Sequence, residues 1–167
     1  CVRYGADHGA KVHNVSYSGA NSPTINSAGL YARSKGSLLF MAAGNENRDL
    51  SLTHPDYTSF VLVGATTNAD KRASFSNYGT PVDIAAPGLN IATTSPGGGY
   101  QYISGTSFSS PLAAAVGALV FSVNPRLSPN AVQNILGSTA DPIGSTYVYG
   151  SGRVNAYNAV QAALKTR

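Results

Sequence analysis

The segment Gly105-Thr106-Ser107-Phe108-Ser109-Ser110-Pro111 joins an extended piece ending at Ile103 to a long apolar stretch. A serine at such a junction lies beside the unpaired N–H groups and the positive dipole end of a helix, where developing negative charge is favoured. Ser107 therefore has the setting of a nucleophile. The plainer alternative is that Thr106 or Ser107 only caps the helix. A second group bears on the choice. Ala42-Ala43-Gly44-Asn45-Glu46 follows the apolar run Leu38 to Met41, which puts Asn45 just past the end of a central strand, at the edge where open α/β sheets bind ligands. A carboxamide there can donate to an oxyanion, and acyl transfer needs a nucleophile and a preorganised donor aimed at one point. Asn after Gly is otherwise an ordinary turn residue.

A serine nucleophile needs a base, and three histidines are available. His8 falls in the first helix, and Asp7, adjacent in sequence, is not placed to orient it. His13 falls within the first strand, and His54 precedes Pro55 in a loop. Each reads as a structural residue rather than a base. All three precede Ser107, and Ser109 stands where G-x-S-x-G requires glycine, which argues against an α/β-hydrolase esterase.

The elements that would hold these groups follow from pattern. The chain has 167 residues, 43% hydrophobic and 11% charged, enough for the core of one domain. Its net charge of +4 is scattered, with Lys71-Arg72 the one adjacent basic pair, which argues against nucleic-acid binding. No uninterrupted apolar run reaches the roughly 18 residues of a membrane span. The single cysteine, Cys1, excludes an internal disulfide and a cysteine-based zinc cluster.

Cys1 to Gly9 reads as the end of a helix, Val12 to Tyr17 as a short strand, and Ser22-Pro23 as the opening of a helix that Gly36 ends. Leu38 to Ala43 and Phe60 to Ala65 are continuous apolar runs of strand length, as expected when both sheet faces are covered. Short extended pieces follow at Val82 to Ala85, Ile91 to Thr94 and Tyr100 to Ile103. Ser107 to Ser122 is a helix apolar nearly all round. Ser128-Pro129 starts a helix to about Ser138, and Asn155 caps a last one to about Lys165. This order predicts an α/β domain, a mostly parallel sheet with helices on both faces.

The same residues resemble the subtilisin-like serine proteases, the subtilase family. The likeness runs through Gly9-Ala10-Lys11-Val12 with Asn14-Val15-Ser16, Ala42-Ala43-Gly44-Asn45-Glu46, Val63-Gly64-Ala65, Arg72-Ala73-Ser74-Phe75-Ser76-Asn77-Tyr78-Gly79, Asp83-Ile84-Ala85-Ala86-Pro87-Gly88 and the Ser107 segment. Tyr149 to Ala156 is similar to the stretch leading into the family's last helix. The resemblance implies that residues 1–167 are the C-terminal portion of a single catalytic domain, incomplete at its N-terminus. It implies Ser107 as nucleophile, Asn45 and the Ser107 N–H as oxyanion donors, and Thr106 as a minor donor.

It further implies Ser16, Tyr17 and Ser18 as the strand pairing with extended polypeptide substrates, and Ala43, Gly44 and Glu46 as walls and rim of the primary pocket. No cofactor is expected for the chemistry. Structural calcium at Asp83, a propeptide partner and a secreted, extracellular location are expectations of the same kind. The Asp and His of the triad are expected on an N-terminal fragment of the same domain; the alternative is a non-catalytic binding or scaffolding module. Departures from the family pattern are Leu112 after Pro111 and Tyr17-Ser18 in the substrate strand.

Overall fold

The computed structural model describes residues 1–17 and 19–166. Helix α1 (Val2–Asp7) leads into strand β1 (Val12–Val15), helix α2 (Pro23–Ser34), and strands β2 (Leu38–Ala42), β3 (Phe60–Thr66) and β4 (Ile84–Pro87). A hairpin of β5 (Ile91–Thr94) and β6 (Tyr100–Ile103) precedes helices α3 (Thr106–Val123), α4 (Pro129–Ser138), α5 (Thr146–Tyr149) and α6 (Ala156–Lys165). The first four strands form one parallel sheet in the order β1-β2-β3-β4.

Every residue of β2 is buried, and every residue of β3. Alternation of side chains sends Leu38, Phe40, Val61 and Val63 to one face, where they meet α3, α4 and α6. Leu39, Met41, Phe60 and Leu62 go to the other, where Val2 of α1 and Ile25 of α2 pack. Helices thus cover both faces, which is what the unbroken apolar runs require.

Helix α3 has 18 residues and a mean hydropathy of 1.5, and half of it lies inside the fold. By length and composition it reaches membrane-span proportions, contrary to the reading of short apolar runs. Its apolarity is accounted for by burial, since Ala113, Val116 and Val120 face the sheet core. Its N-cap is Gly105, with no side-chain cap bond. The capping role considered for Thr106 or Ser107 therefore does not hold. True caps do form at Ser128, which accepts from the Ala131 N–H, and at Asn155, which accepts from the Asn158 N–H.

Strand β4 starts two residues later than the apolar pattern suggests. The Val82 N–H closes a turn onto the Gly79 carbonyl, so pairing begins with Val63 opposite Ile84. The outer edge of β4 is bridged by the 152–154 segment, whose Gly152 carbonyl and Val154 N–H bond to Ala85. Among the described residues, β1 has a strand neighbour on one side only.

Candidate active site

The carboxyl edge of the parallel sheet gathers the groups singled out in the sequence. Ser16 follows β1, and Gly44 and Asn45 follow β2. Gly88 follows β4, and its carbonyl accepts from the Gly105 N–H at 2.8 Å, which brings the start of α3 to the same edge.

Asn45 Oδ1 accepts two hydrogen bonds from Thr106, at 2.8 Å from its N–H and 2.9 Å from its hydroxyl. Thr106, fully buried, also accepts from the Gly44 N–H at 3.1 Å. With its oxygen occupied in this way, the carboxamide must direct Nδ2 away from Thr106. A methyl placed on Gly105 would lie 3.6 Å from that nitrogen, 3.8 Å from Asn45 Oδ1 and 3.7 Å from the Ser107 nitrogen, so the carboxamide and the start of α3 lie close together. Asn45 is exposed and Ser107 half-buried.

Ser107 and Ser16 are tied reciprocally. The Ser107 hydroxyl donates to the Ser16 carbonyl and the Ser16 hydroxyl to the Ser107 carbonyl, each at 2.8 Å. The Ser16 hydroxyl also accepts from Asn14 Nδ2 at 2.7 Å, and Asn14 Oδ1 accepts from the Ser110 hydroxyl at 2.6 Å. Sequence reasoning did not single out Asn14 or Ser110; their signals are the i, i+2 spacing of Asn14 and Ser16 on one strand and the i, i+3 spacing of Ser107 and Ser110 on one helix.

Among the described residues the Ser107 hydroxyl is bonded to a carbonyl and not to a histidine. His8 Nδ1 lies 2.8 Å from the Tyr4 carbonyl and its ring stacks on Tyr4. His13 packs its ring against Gly5, and burial first, then the N-terminal charge, holds it below its ordinary range. His54 Nδ1 lies 2.9 Å from the Thr53 hydroxyl. The peptide bonds of the described residues are all trans, His54–Pro55 included.

Beside Asn45 lies a cavity of about 520 Å3, lined by Gly19 and Ala20 beyond β1, by Ala43, Gly44 and Glu46 beyond β2, and by His54 on the facing loop. Ala43, Gly44 and Glu46, expected as walls and rim of the primary pocket, all line this cavity. Gly44 has φ +101°, and a Cβ there would collide with Asn77 Nδ2 and lie 2.7 Å from Glu46 Oε2, so both conformation and space require glycine. Tyr17 is 70% exposed at the end of β1. Ser18 lies outside the described residues.

Asp83, the expected calcium ligand, is bonded within the protein. Its Oδ2 accepts from the Leu62 N–H at 2.7 Å and its Oδ1 from Gln133 Nε2 at 3.3 Å. Burial pushes the carboxyl up to about 7 and the charge of Asp56 adds to this; the Leu62 N–H, Arg33 and Gln133 oppose it. Both carboxyl oxygens are thus already taken by protein donors. Among the described residues no group of three or more His, Cys, Asp or Glu side chains could hold a metal. Asp49 accepts from the Ser51 N–H at 2.9 Å and from the Tyr147 hydroxyl.

A doubly covered parallel sheet that brings a helix-start serine and a fixed carboxamide together beyond its carboxyl edge is the architecture of subtilisin-like serine proteases. The chain belongs to the subtilase family, whose model matches residues 2–156. It is 41% identical over 161 residues to a thermophilic serine proteinase of Bacillus sp. (strain AK1), covering 95% of this chain and 40% of that protein. To subtilisin BL of Lederbergia lenta it is 40% identical over 163 residues, covering 96% and 60%. Among solved structures, a protease from Pseudoalteromonas arctica superposes with a TM-score of 0.80 at 33% identity, over 92% of this chain and 51% of that one. The chain therefore spans about half the length of the relatives it matches.

Proposed function

We propose that this chain supplies the nucleophile, the oxyanion donors and the primary pocket of a serine endopeptidase, and that an N-terminal segment of the same domain supplies the His and Asp. Ser107 Oγ attacks the carbonyl carbon of a peptide bond while its proton passes to the histidine. The new oxyanion is held by Asn45 Nδ2 and the Ser107 N–H, with Thr106 in support through its grip on Asn45 Oδ1. Return of the proton to the leaving nitrogen breaks the C–N bond and leaves an acyl group on Ser107; water then releases the acid. Ser16, Tyr17 and Ser18 would pair with extended polypeptide substrates. The chemistry requires no cofactor. A propeptide partner and an extracellular location belong to the same reading, by family likeness.

The observation that carries the reading is the double anchoring of Asn45 Oδ1 by Thr106, which holds the carboxamide beside Ser107 with Nδ2 turned away from Thr106. The test is labelling with a fluorophosphonate in the complete catalytic assembly. Ser107 should be the modified residue, and Ser107→Ala should abolish both labelling and peptide cleavage. Cleavage that persists without labelling at Ser107 refutes the assignment.

One observation favours a second reading. The Ser107 hydroxyl donates to a carbonyl rather than to a base, and His8 and His54 are bonded elsewhere, while His13 Nε2 is buried without a partner. A natural protein lacking the upstream groups would be a non-catalytic binding module. The reading frame preceding Cys1 discriminates: an Asp-Ser/Thr-Gly motif followed by His-Gly-Thr means enzyme.

A further inference from the structure

Helix α3 carries a proline, Pro111, one turn after Ser107. In an α-helix the carbonyl of each residue accepts from the N–H four positions on, and proline has no N–H, so the Ser107 carbonyl lacks that donor. The Ser16 hydroxyl fills the gap, reaching across from the end of β1 to donate to this carbonyl at 2.8 Å.

Two further side chains decide that the Ser16 proton goes there. Ser110 is fully buried, and its hydroxyl donates to Asn14 Oδ1 at 2.6 Å. A carboxamide whose oxygen is engaged in this way must turn its N–H groups elsewhere, and Asn14 Nδ2 donates to Ser16 Oγ at 2.7 Å. Asn14 itself is exposed, so its orientation depends on the buried hydroxyl behind it. Ser16 Oγ accepts from Asn14 and keeps its own proton for the Ser107 carbonyl. The direction of donation is therefore the same at every link, from Ser110 through Asn14 and Ser16 to the main chain of Ser107, and each bond polarises the next.

We infer that Ser110 and Asn14 are positioning residues, which hold the Ser107 peptide in place through the Ser16 hydroxyl. Neither touches a reacting atom. Holding the carbonyl of residue 107 fixes the backbone from which its N–H and its side chain project, and a misplacement of about 1 Å in an attacking group costs up to about 100-fold in rate. The inference rests on the peptidase reading above and deepens it by naming residues on which the nucleophile depends.

The test uses the complete catalytic assembly and reads the rate of fluorophosphonate labelling at Ser107 together with kcat and KM for one peptide. Asn14→Ala should slow labelling and lower kcat about fivefold, the scale of one hydrogen bond, with KM unchanged. Ser16→Ala should do the same, and Asn14→Ala should add nothing further in the Ser16→Ala background, because Asn14 acts through that hydroxyl. Ser16→Thr keeps the hydroxyl and should label at the parent rate, whereas Ser16→Val, of the same shape, should be slow. Ser110→Ala leaves the Asn14 carboxamide free to turn over between two orientations, so labelling should fall about twofold; this variant decides the matter if Asn14→Ala does not fold. A rise in KM with kcat unchanged would move Asn14 to substrate binding and overturn the inference. So would variants of Asn14 and Ser110 that unfold earlier on heating yet label at the parent rate, or an Asn14→Ala effect that is as large without the Ser16 hydroxyl as with it. A parent that cleaves the peptide with Ser107 unlabelled brings down the peptidase reading and the inference with it.

Discussion

Thr106→Val tests whether the buried hydroxyl is what aims Asn45. Valine keeps the shape and removes the oxygen, so two hydrogen bonds go at once: the one to Asn45 Oδ1 at 2.9 Å and the one from the Gly44 N–H at 3.1 Å. Each is worth about 1 kcal/mol, and the Gly44 N–H is left part-buried without its partner, so the expected loss of stability is about 2–3 kcal/mol. Asn45 Oδ1 would keep only the Thr106 N–H. Loss of one of two anchors lowers the population with Nδ2 aimed outward up to about fivefold, and the rate of fluorophosphonate labelling at Ser107 should fall by that factor. Urea unfolding gives the first number, with an unchanged denaturant slope as evidence that only the folded state has altered. Thr106→Ser retains the hydroxyl and should lose about 0.8 kcal/mol for its methyl group, with labelling unchanged. If Thr106→Val stays within about 0.5 kcal/mol of the parent and labels at the parent rate, the Thr106 hydroxyl does not lock the carboxamide.

Three further outcomes can be measured on the same material. The Asp83 carboxyl, raised from 3.8 to about 7, stays protonated when folded over a range where the unfolded chain has ionised. Its contribution to stability is complete below the lower value and is lost as pH rises through the upper one; Asp83→Asn should flatten that decline in unfolding experiments from pH 4 to 8. Gly88→Ala should lower stability by about 1–3 kcal/mol in thermal unfolding, because the new methyl would overlap the Ser109 hydroxyl and lie 2.7 Å from Ala65 Cβ. Phe40→Ala should cost about 3–5 kcal/mol in urea, since its fully buried ring sits in the core facing α3.

The parts of the fold legible in the sequence were those set by local physics. Leu38 to Ala43 and Phe60 to Ala65 could only be strands covered on both sides, and Ser128 and Asn155 marked helix starts through their side-chain oxygens. What depended on distant partners was not legible. The pairing of β5 with β6, the late start of β4 and the short helix α5 are decided by turns and contacts that composition does not encode. The candidate site divides likewise. Ser107 and Asn45 stood out because each follows an obvious element boundary. The hydrogen bond from Asn77 Nδ2 to Glu46 Oε2, across a separation of 31 residues, has no local pattern at all.

The one-sided pairing of β1 among the described residues has a practical consequence. A strand with an unclaimed ladder of N–H and C=O groups is a template for any extended chain it meets, including another copy of itself. Val12–Val15 carries a single charge-capable residue, His13, and no proline to discourage such annealing. This chain produced alone is thus prone to self-association into insoluble material, and supplying a complementary strand during synthesis would be expected to raise its soluble yield.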